Sequence, residues 1–201
     1  MSQDENELHR QRMIRQKEAF EARKARATQE KGLLIVHTGA GKGKTTAALG
    51  LAFRALGQGM TVGIVQFIKG AIPTGEAALA VRLAPALTMH TMGDGFTWNT
   101  QDRDKDIASA RKAWEKAVAL LRDGSLDLVV LDELNVVLKH GYLPLEDVLG
   151  ELRARRPMLH VVVTGRNAAD ELVALADLVT EMKLVKHPYR AGVKAQKGIE
   201  F

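Results

Sequence analysis

The sequence predicts an α/β fold in which a mainly parallel sheet carries helices on both faces. From Gly32 onward, short apolar segments of strand length alternate with longer amphipathic segments, as in repeated strand–helix units. Some short segments, such as 128–131, are apolar at every position, which is typical of strands buried on both faces. A glycine-rich segment at 38–46 separates the first apolar segment from the first amphipathic one. These observations favour one α/β domain over residues 31–201.

The individual elements follow from apolar runs and from turn signals at their ends. Strands are expected at 32–37, 61–67, 87–91, 126–131, 158–164 and 178–185. Helices are expected at 44–56, 101–122, 144–154 and 168–176, with a further short helix after 131. The chain after His187 contains a proline, glycines and lysines, and we expect an ordered or ligand-dependent loop there.

Residues 1–30 differ from the rest of the chain. They are highly charged, lack glycine and proline, and have only a thin apolar stripe, formed by Leu8, Met13, Ile14 and Phe20. We expect a charged N-terminal arm that is either helical or disordered. A helical arm would serve to cap an active site or to contact a second subunit.

Composition restricts the possible functions. The 201 residues include no cysteine, so disulfides, thiolate zinc sites and cysteine nucleophiles are excluded. No apolar run is long enough to cross a bilayer, and the start of the chain lacks the order of a signal peptide, so we expect a cytoplasmic protein without a membrane segment. The net charge of +5 fits a polyphosphate ligand or a nucleic acid. Aromatic residues make up only 4%, which argues against a base-stacking surface and hence against a nucleic-acid partner.

The strongest functional signal is a phosphate-binding loop between a strand and a helix. Glycines let successive backbone N–H groups face phosphate oxygens, and the helix N-terminus adds positive potential. The Lys44 ammonium would bind the phosphates, and the Thr45 hydroxyl would bind Mg²⁺. The loop is a variant, because Thr38 stands where the first glycine of the usual pattern is found and Lys42 is an additional lysine. The expected nucleotide-binding residues of the loop are Gly39, Ala40, Gly41, Lys42, Gly43, Lys44, Thr45 and Thr46.

A second half of the same site is expected where the apolar segment 128–131 ends in Asp132 and Glu133. A carboxylate at such a strand end reaches Mg²⁺ directly or through water. The spacing does not decide which of the two carboxylates contacts the metal.

Two other patterns do not form sites. Asp102, Asp104 and Asp106 resemble the start of a calcium loop, but Ile107 replaces the required glycine, so they are expected to stabilise the start of a helix instead. The six histidines lack the spacing of a metal site.

The motifs taken together resemble the P-loop corrinoid adenosyltransferases. The resemblance is carried in order along the chain by GAGKGKTT at 39–46, VQFIKG at 65–70, GFTW at 95–98, LDEL at 131–134, VTGR at 163–166 and AGVKAQKGIE at 191–200. It implies a P-loop NTPase fold of RecA-like architecture. It also implies that the Co(I) centre of a corrinoid attacks the 5′-carbon of ATP and that triphosphate leaves. In this family ATP lies reversed relative to most P-loop enzymes.

The resemblance also implies residue roles. Lys42 and Lys44 would stabilise the leaving triphosphate, and Thr45 with Glu133 would contact Mg²⁺, with Asp132 as a possible further contact. Phe96 and Trp98 would lie by the lower face of the corrin and displace its axial ligand, which eases reduction of Co(II) to Co(I). Gln66, Lys69, Arg166 and Arg190 are further candidates for binding ATP or the corrinoid, since most of them follow strand ends. A homodimer and a reduced flavoprotein as electron donor are expected for the family.

Two other functions remain possible at this stage. A small-molecule kinase or ATPase would use the same loop, although the variant loop counts against it. A RecA-like protein that binds nucleic acid would fit the basic charge, and would show a steep salt dependence of binding.

Overall fold

The computed structural model describes residues 3–68, 74–92 and 102–200, and side chains from residue 5 onward. The chain divides into two units, Met1–Lys31 and Gly32–Phe201. The first unit contains helix α1, Gln3–Arg26, so the helical alternative holds for the arm. Within α1, Arg10 and Glu7 form an ion pair one turn apart, at 3.1 Å. No helix in the described ranges combines the length and the apolar composition needed to span a membrane.

The second unit is built on a six-stranded sheet in which every paired strand is parallel. The strand order is β3-β2-β4-β5-β1-β6. The strands are β1 Leu34–Thr38, β2 Val62–Gln66, β3 Leu87–Thr91, β4 Leu128–Asp132, β5 His160–Thr164 and β6 Leu178–Glu181. The parallel sheet with the phosphate loop after β1 confirms the predicted α/β fold of P-loop type. The six predicted strands are present, with boundaries that differ by up to four residues.

Helices cover both faces of this sheet, as predicted. Those of the second unit are α2 Lys44–Gly57, α3 Gly75–Arg82, α4 Arg103–Arg122, α5 Leu134–Lys139, α6 Leu145–Arg153 and α7 Asp170–Leu175. One apolar core lies between the sheet and α2 with α3, and it includes Ile35, Ala48 and Val130. The other lies between the opposite face and α4 to α7, and it includes Val36 and Leu149. The alternating strand residues therefore enter different cores, as the two-residue period of a strand requires.

Two elements differ from the sequence prediction. Helix α3 was not predicted, because its eight residues begin with glycine and give a weak periodic signal; Thr74 begins it by accepting a hydrogen bond from the Ala77 amide at 3.3 Å. The last strand was expected to reach residue 185, but β6 ends at Glu181, and all four of its residues are exposed. This strand lies at the sheet edge beside β1 only. The helix start near residue 102 agrees with expectation, since the Asp102 carboxylate accepts a hydrogen bond from the Lys105 amide at 3.2 Å.

The parallel register places one polar residue from each strand in a single row at the carboxyl ends of the strands. Gln66 lies opposite Thr91 on one side and opposite Asp132 on the other. His37 lies opposite Thr164 on one side and opposite Thr180 on the other. The Thr164 hydroxyl bonds to Asp132, which joins the two halves. The row lies at the same edge of the sheet as the phosphate loop, and it consists of Thr91, Gln66, Asp132, Thr164, His37 and Thr180. Ligands of open α/β sheets bind at this edge.

Candidate active site

The phosphate loop is packed against the chain that follows β6. The Gly41 amide donates a hydrogen bond to the Met182 carbonyl at 2.6 Å. A Cβ atom on Gly39 would lie 2.5 Å from the Met182 carbonyl oxygen, and one on Gly41 would lie 2.7 Å from it. Gly39 also has φ of 96° and Gly43 has φ of 104°, a region that disfavours residues with a side chain. The glycines are therefore required both by the turn and by this close approach.

Lys44 is the first residue of α2 and is only 6% exposed. Its Nζ donates hydrogen bonds to the carbonyl oxygens of Gly39 at 2.9 Å and Gly41 at 2.7 Å. Burial lowers the pKa of Lys44, while the nearby carboxylate of Glu133 acts in the opposite direction. The structure thus holds a lysine ammonium against the loop at the positive end of a helix, which suits an anionic ligand.

The other loop residues are more accessible. Lys42 is exposed, and its Nζ forms an ion pair with the Glu200 carboxylate near the C-terminus. Ala40 and Thr46 are also exposed. The loop therefore combines one buried lysine with one accessible lysine.

Asp132 is the centre of a buried hydrogen-bond cluster. Its Oδ1 accepts hydrogen bonds from the hydroxyls of Thr45 at 2.8 Å and Thr164 at 2.7 Å, and its Oδ2 accepts one from the Gln66 amide at 3.0 Å. Asp132 is 1% exposed. The phosphate loop and the acidic strand end are therefore in contact, as expected, through the direct hydrogen bond between Thr45 and Asp132.

Glu133 follows Asp132 in the left-handed region, with φ of 65°. Its amide donates a hydrogen bond to the Thr164 hydroxyl at 2.9 Å, and the residue is half-buried. A non-glycine residue in this region is uncommon and places its side chain in a direction that the strand would not give. Glu133 and Asp132 thus present two carboxylates with different surroundings.

The donor set fits a magnesium ion bound together with a triphosphate. Mg²⁺ prefers one or two carboxylates or hydroxyls, together with phosphate oxygens and water, over a cage made only of protein ligands. Thr45, Asp132 and Glu133 supply a hydroxyl and two carboxylates beside the loop. In residues 3–68, 74–92 and 102–200 no group of three or more His, Cys, Asp or Glu residues is placed to hold a metal ion.

The remaining candidates are placed as follows. Gln66 is 1% exposed, and its amide faces Asp132 and Thr91. Arg166 is exposed just after β5, and its positive charge adds to the effect of burial in lowering the pKa of Lys44. Arg190 lies exposed in the short 3-10 helix Pro188–Ala191. Lys69, Phe96 and Trp98 lie outside the described residues.

Four residues of this region were not among the predicted site residues: Thr91, Thr164, Met182 and Glu200. Thr164 and Glu200 lie in the motifs at 163–166 and 191–200, but no role was assigned to either of them. Thr164 ends an apolar strand, and that position could have identified it. The other three are brought to the site by strand pairing and by the path of the C-terminal segment, which single-residue signals do not reveal.

Comparison with known proteins identifies the family of the chain. Residues 30–201 match the family model of the "ATP:corrinoid adenosyltransferase BtuR/CobO/CobP" proteins. The chain belongs to this family. The corrinoid adenosyltransferase of Pseudomonas aeruginosa PAO1 is 54% identical over 200 residues, covering 100% of this chain and 98% of that protein. Those of Sinorhizobium sp and Escherichia coli K12 are 50% and 48% identical and cover 96% and 98% of this chain, and 91% and 99% of their own length.

As an ATP:corrinoid adenosyltransferase, the protein is a transferase whose two substrates are ATP and a corrinoid. This assigns it to the formation of adenosylated corrinoids in cobalamin biosynthesis or salvage. The kinase, ATPase and nucleic-acid alternatives are thereby set aside in favour of adenosyl transfer.

Proposed function

We propose that this adenosyltransferase holds Mg-ATP in the loop 39–46 while the Co(I) centre of a corrinoid attacks the 5′-carbon of ATP. The cobalt supplies both electrons of the new Co–C bond, the C–O bond to the triphosphate breaks, and triphosphate leaves with that electron pair. Co(I) is itself the nucleophile, so no general base is required. The observation that carries the proposal is the direct Thr45–Asp132 hydrogen bond in a chain of this family, because it joins the phosphate loop to the acidic strand end.

The chain's own residues act mainly by electrostatics. Lys44, the loop amides and the N-terminus of α2 would oppose the negative charge that builds up on the triphosphate as the C–O bond breaks. Lys42 would join them when the triphosphate replaces Glu200 as its partner. Such groups are most effective when they are fixed before the reaction, and the two bonds from Lys44 to the loop carbonyls fix its position.

Thr45 and Glu133 would hold the magnesium ion, which neutralises phosphate charge. Asp132 would act on the metal through Thr45 rather than by direct contact, because both of its carboxylate oxygens already accept hydrogen bonds. In this assignment Asp132 orients the Thr45 hydroxyl, and Glu133 provides the carboxylate that is accessible to the metal. Arg166, Lys69 and Arg190 are proposed to contact the triphosphate or the polar edge of the corrinoid.

Phe96 and Trp98 are proposed to face the lower side of the corrin and to favour its four-coordinate form. This role predicts that Trp98→Ala slows the reaction from Co(II) with a reductant far more than the reaction from Co(I) prepared chemically. Equal losses in the two assays would contradict it.

The cellular setting is also part of the proposal. We propose a homodimer that receives electrons from a reduced flavoprotein, on the strength of the family resemblance, and a cytoplasmic location, as expected from the sequence. Light scattering at working concentration tests the dimer, and a monomer would contradict it.

The decisive experiment is an anaerobic assay with purified protein, Mg-ATP and a Co(I) corrinoid. We expect a light-sensitive adenosyl-corrinoid in the absorbance spectrum and intact triphosphate as the second product. Release of ADP and phosphate without adenosylation would instead support a kinase or ATPase. A Lys44→Ala variant with unchanged ATP affinity and turnover would show that the loop is not the ATP site.

A further inference from the structure

A chain of hydrogen bonds runs through three neighbouring strands to the phosphate loop. The Thr91 hydroxyl on β3 lies 3.2 Å from Gln66 Oε1 on β2, and Gln66 Nε2 lies 3.0 Å from Asp132 Oδ2 on β4. The other oxygen of Asp132 accepts the hydroxyls of Thr45 and Thr164. Gln66 and Asp132 are each 1% exposed and Thr164 is 0% exposed. The part of the chain formed by Gln66, Asp132 and Thr164 is therefore shielded from water, which strengthens its hydrogen bonds, whereas Thr91 lies at the exposed end of β3.

Asp132 accepts the hydrogen bonds from Gln66, Thr45 and Thr164, and this sets the direction of the bonds along the chain. The NH₂ group of Gln66 donates to Asp132. The Gln66 carbonyl then faces Thr91, and the Thr91 hydroxyl must donate to it. By the same reasoning the Thr45 hydroxyl donates its proton to Asp132, which directs its oxygen lone pairs elsewhere.

We propose that Gln66 and Thr91 are positioning residues, which hold Asp132 so that the Thr45 hydroxyl presents its lone pairs to the magnesium ion. The proposal rests on the proposed binding of Mg-ATP at this loop. It replaces the expectation that Gln66 binds the nucleotide, because the Gln66 side chain is buried and directed at Asp132 and Thr91. Groups that hydrogen-bond directly to a metal ligand commonly change metal affinity 10–100-fold when removed. Gln66 acts on Thr45 through Asp132, one bond further away, so we expect its effect at the low end of this range. We expect a smaller effect from Thr91, which acts through one more bond.

The test compares ATP binding with Mg²⁺ to ATP binding with EDTA, in the absence of corrinoid. The ratio of the two affinities is the gain due to the metal. We expect Gln66→Met to reduce this gain about 10-fold and Thr91→Val about 3-fold, with little change of affinity in EDTA. Thr91→Ser keeps a hydroxyl and should restore the gain. Thr88→Val makes the same change on the same strand, on the opposite face, and should leave the gain unchanged.

The outcomes separate this inference from the proposed function. If wild-type protein binds ATP without any gain from Mg²⁺, the proposed metal site fails and the inference fails with it. If the wild type shows the gain and the Gln66 and Thr91 variants keep it in full, only the inference fails. A loss of ATP affinity that is equal with Mg²⁺ and EDTA, together with a lower unfolding midpoint, would assign these residues a purely structural role and also overturn it.

Discussion

Lys42 of the phosphate loop forms an ion pair with Glu200, which lies 158 positions later in the chain. The Lys42 side chain is 53% exposed and that of Glu200 is 20% exposed. A second contact ties the same part of the chain to the loop, because the Gly41 amide donates to the Met182 carbonyl. The loop thus contacts the chain on both sides of the 3-10 helix Pro188–Ala191. On the proposed function, the triphosphate would compete with Glu200 for Lys42.

Replacing Glu200 with Gln should therefore strengthen ATP binding. The change removes a negative charge beside the loop and leaves Lys42 available to the triphosphate. Exposed ion pairs contribute up to about 1 kcal/mol, so we expect an increase in affinity of about 2- to 5-fold, measured by calorimetry at low salt. The increase should shrink at high salt, because surface charges are screened. Glu146→Gln, which removes the exposed pair with Arg153 on α6, is the matched control, and weaker ATP binding by Glu200→Gln would contradict the competition.

Two glycines on either side of the start of α2 allow a direct test of the loop packing. A Cβ on Gly41 would lie 2.7 Å from the carbonyl oxygens of Met182 and Lys183, whereas one on Gly50 would meet nothing within 4 Å. Gly41→Ala should lower the free energy of unfolding by about 1–3 kcal/mol and weaken ATP binding, because backbone atoms must move. Gly50→Ala, inside α2, should raise it by about 0.5–1 kcal/mol. Urea unfolding measures both values, and equal effects of the two substitutions would show that the close approach is unimportant.

The sheet could be predicted from the sequence because its signals are local. Residues 128–131 are apolar at every position, and β4 is buried throughout. The loop and α2 were likewise contained in one continuous motif. Helix α3 and the end of β6 could not be predicted in this way. A short helix that begins with glycine and an exposed edge strand carry weak sequence patterns.

The candidate site was predictable only as far as its motifs reach. Asp132 could be assigned to the site because phosphate loops pair with acidic strand ends, although it lies 87 positions from Thr45. Gln66 could be placed at a strand end but not given its partner, which depends on the strand order β3-β2-β4. Strand order is set by packing between distant segments. A glutamine or a threonine at a strand end does not indicate which strands will lie beside it.

Asp132 and Glu133 should respond differently to loss of their charge. Glu133→Gln removes a carboxylate from a half-buried side chain and should raise the Mg²⁺ concentration needed for half-maximal activity about 10-fold or more, with a small change in the unfolding midpoint. Asp132→Asn disturbs a buried acceptor of three hydrogen bonds, and should lower both activity and the free energy of unfolding, the latter by about 1–3 kcal/mol. Magnesium titrations and urea unfolding of the two variants provide the comparison. Destabilisation by Glu133→Gln with normal magnesium dependence would reverse the assignment.

His37 should make the stability of the fold depend on pH. It is 6% exposed on β1, the strand that precedes the phosphate loop, and neither of its ring nitrogens has a hydrogen-bond partner among the residues that the structure describes. Burial therefore lowers the pKa of His37 below its ordinary value, and burial followed by the charge of Lys116 lowers the pKa of His90. As the pH falls through about 6.5, the unfolded chain binds protons that the folded protein does not, so the free energy of unfolding decreases.

Substituting His37 should remove part of this pH dependence. In urea unfolding at pH 7.5, 6.5 and 5.5, we expect the wild-type free energy of unfolding to fall toward low pH and His37→Leu to show a shallower fall. His90→Leu should remove a separate part, and the double variant should be the least sensitive, because the two side chains lie on different strands, β1 and β3, and titrate independently. If His37→Leu keeps the full wild-type slope, the buried histidine is not a source of the acid sensitivity, and its protonation must be accommodated within the folded sheet.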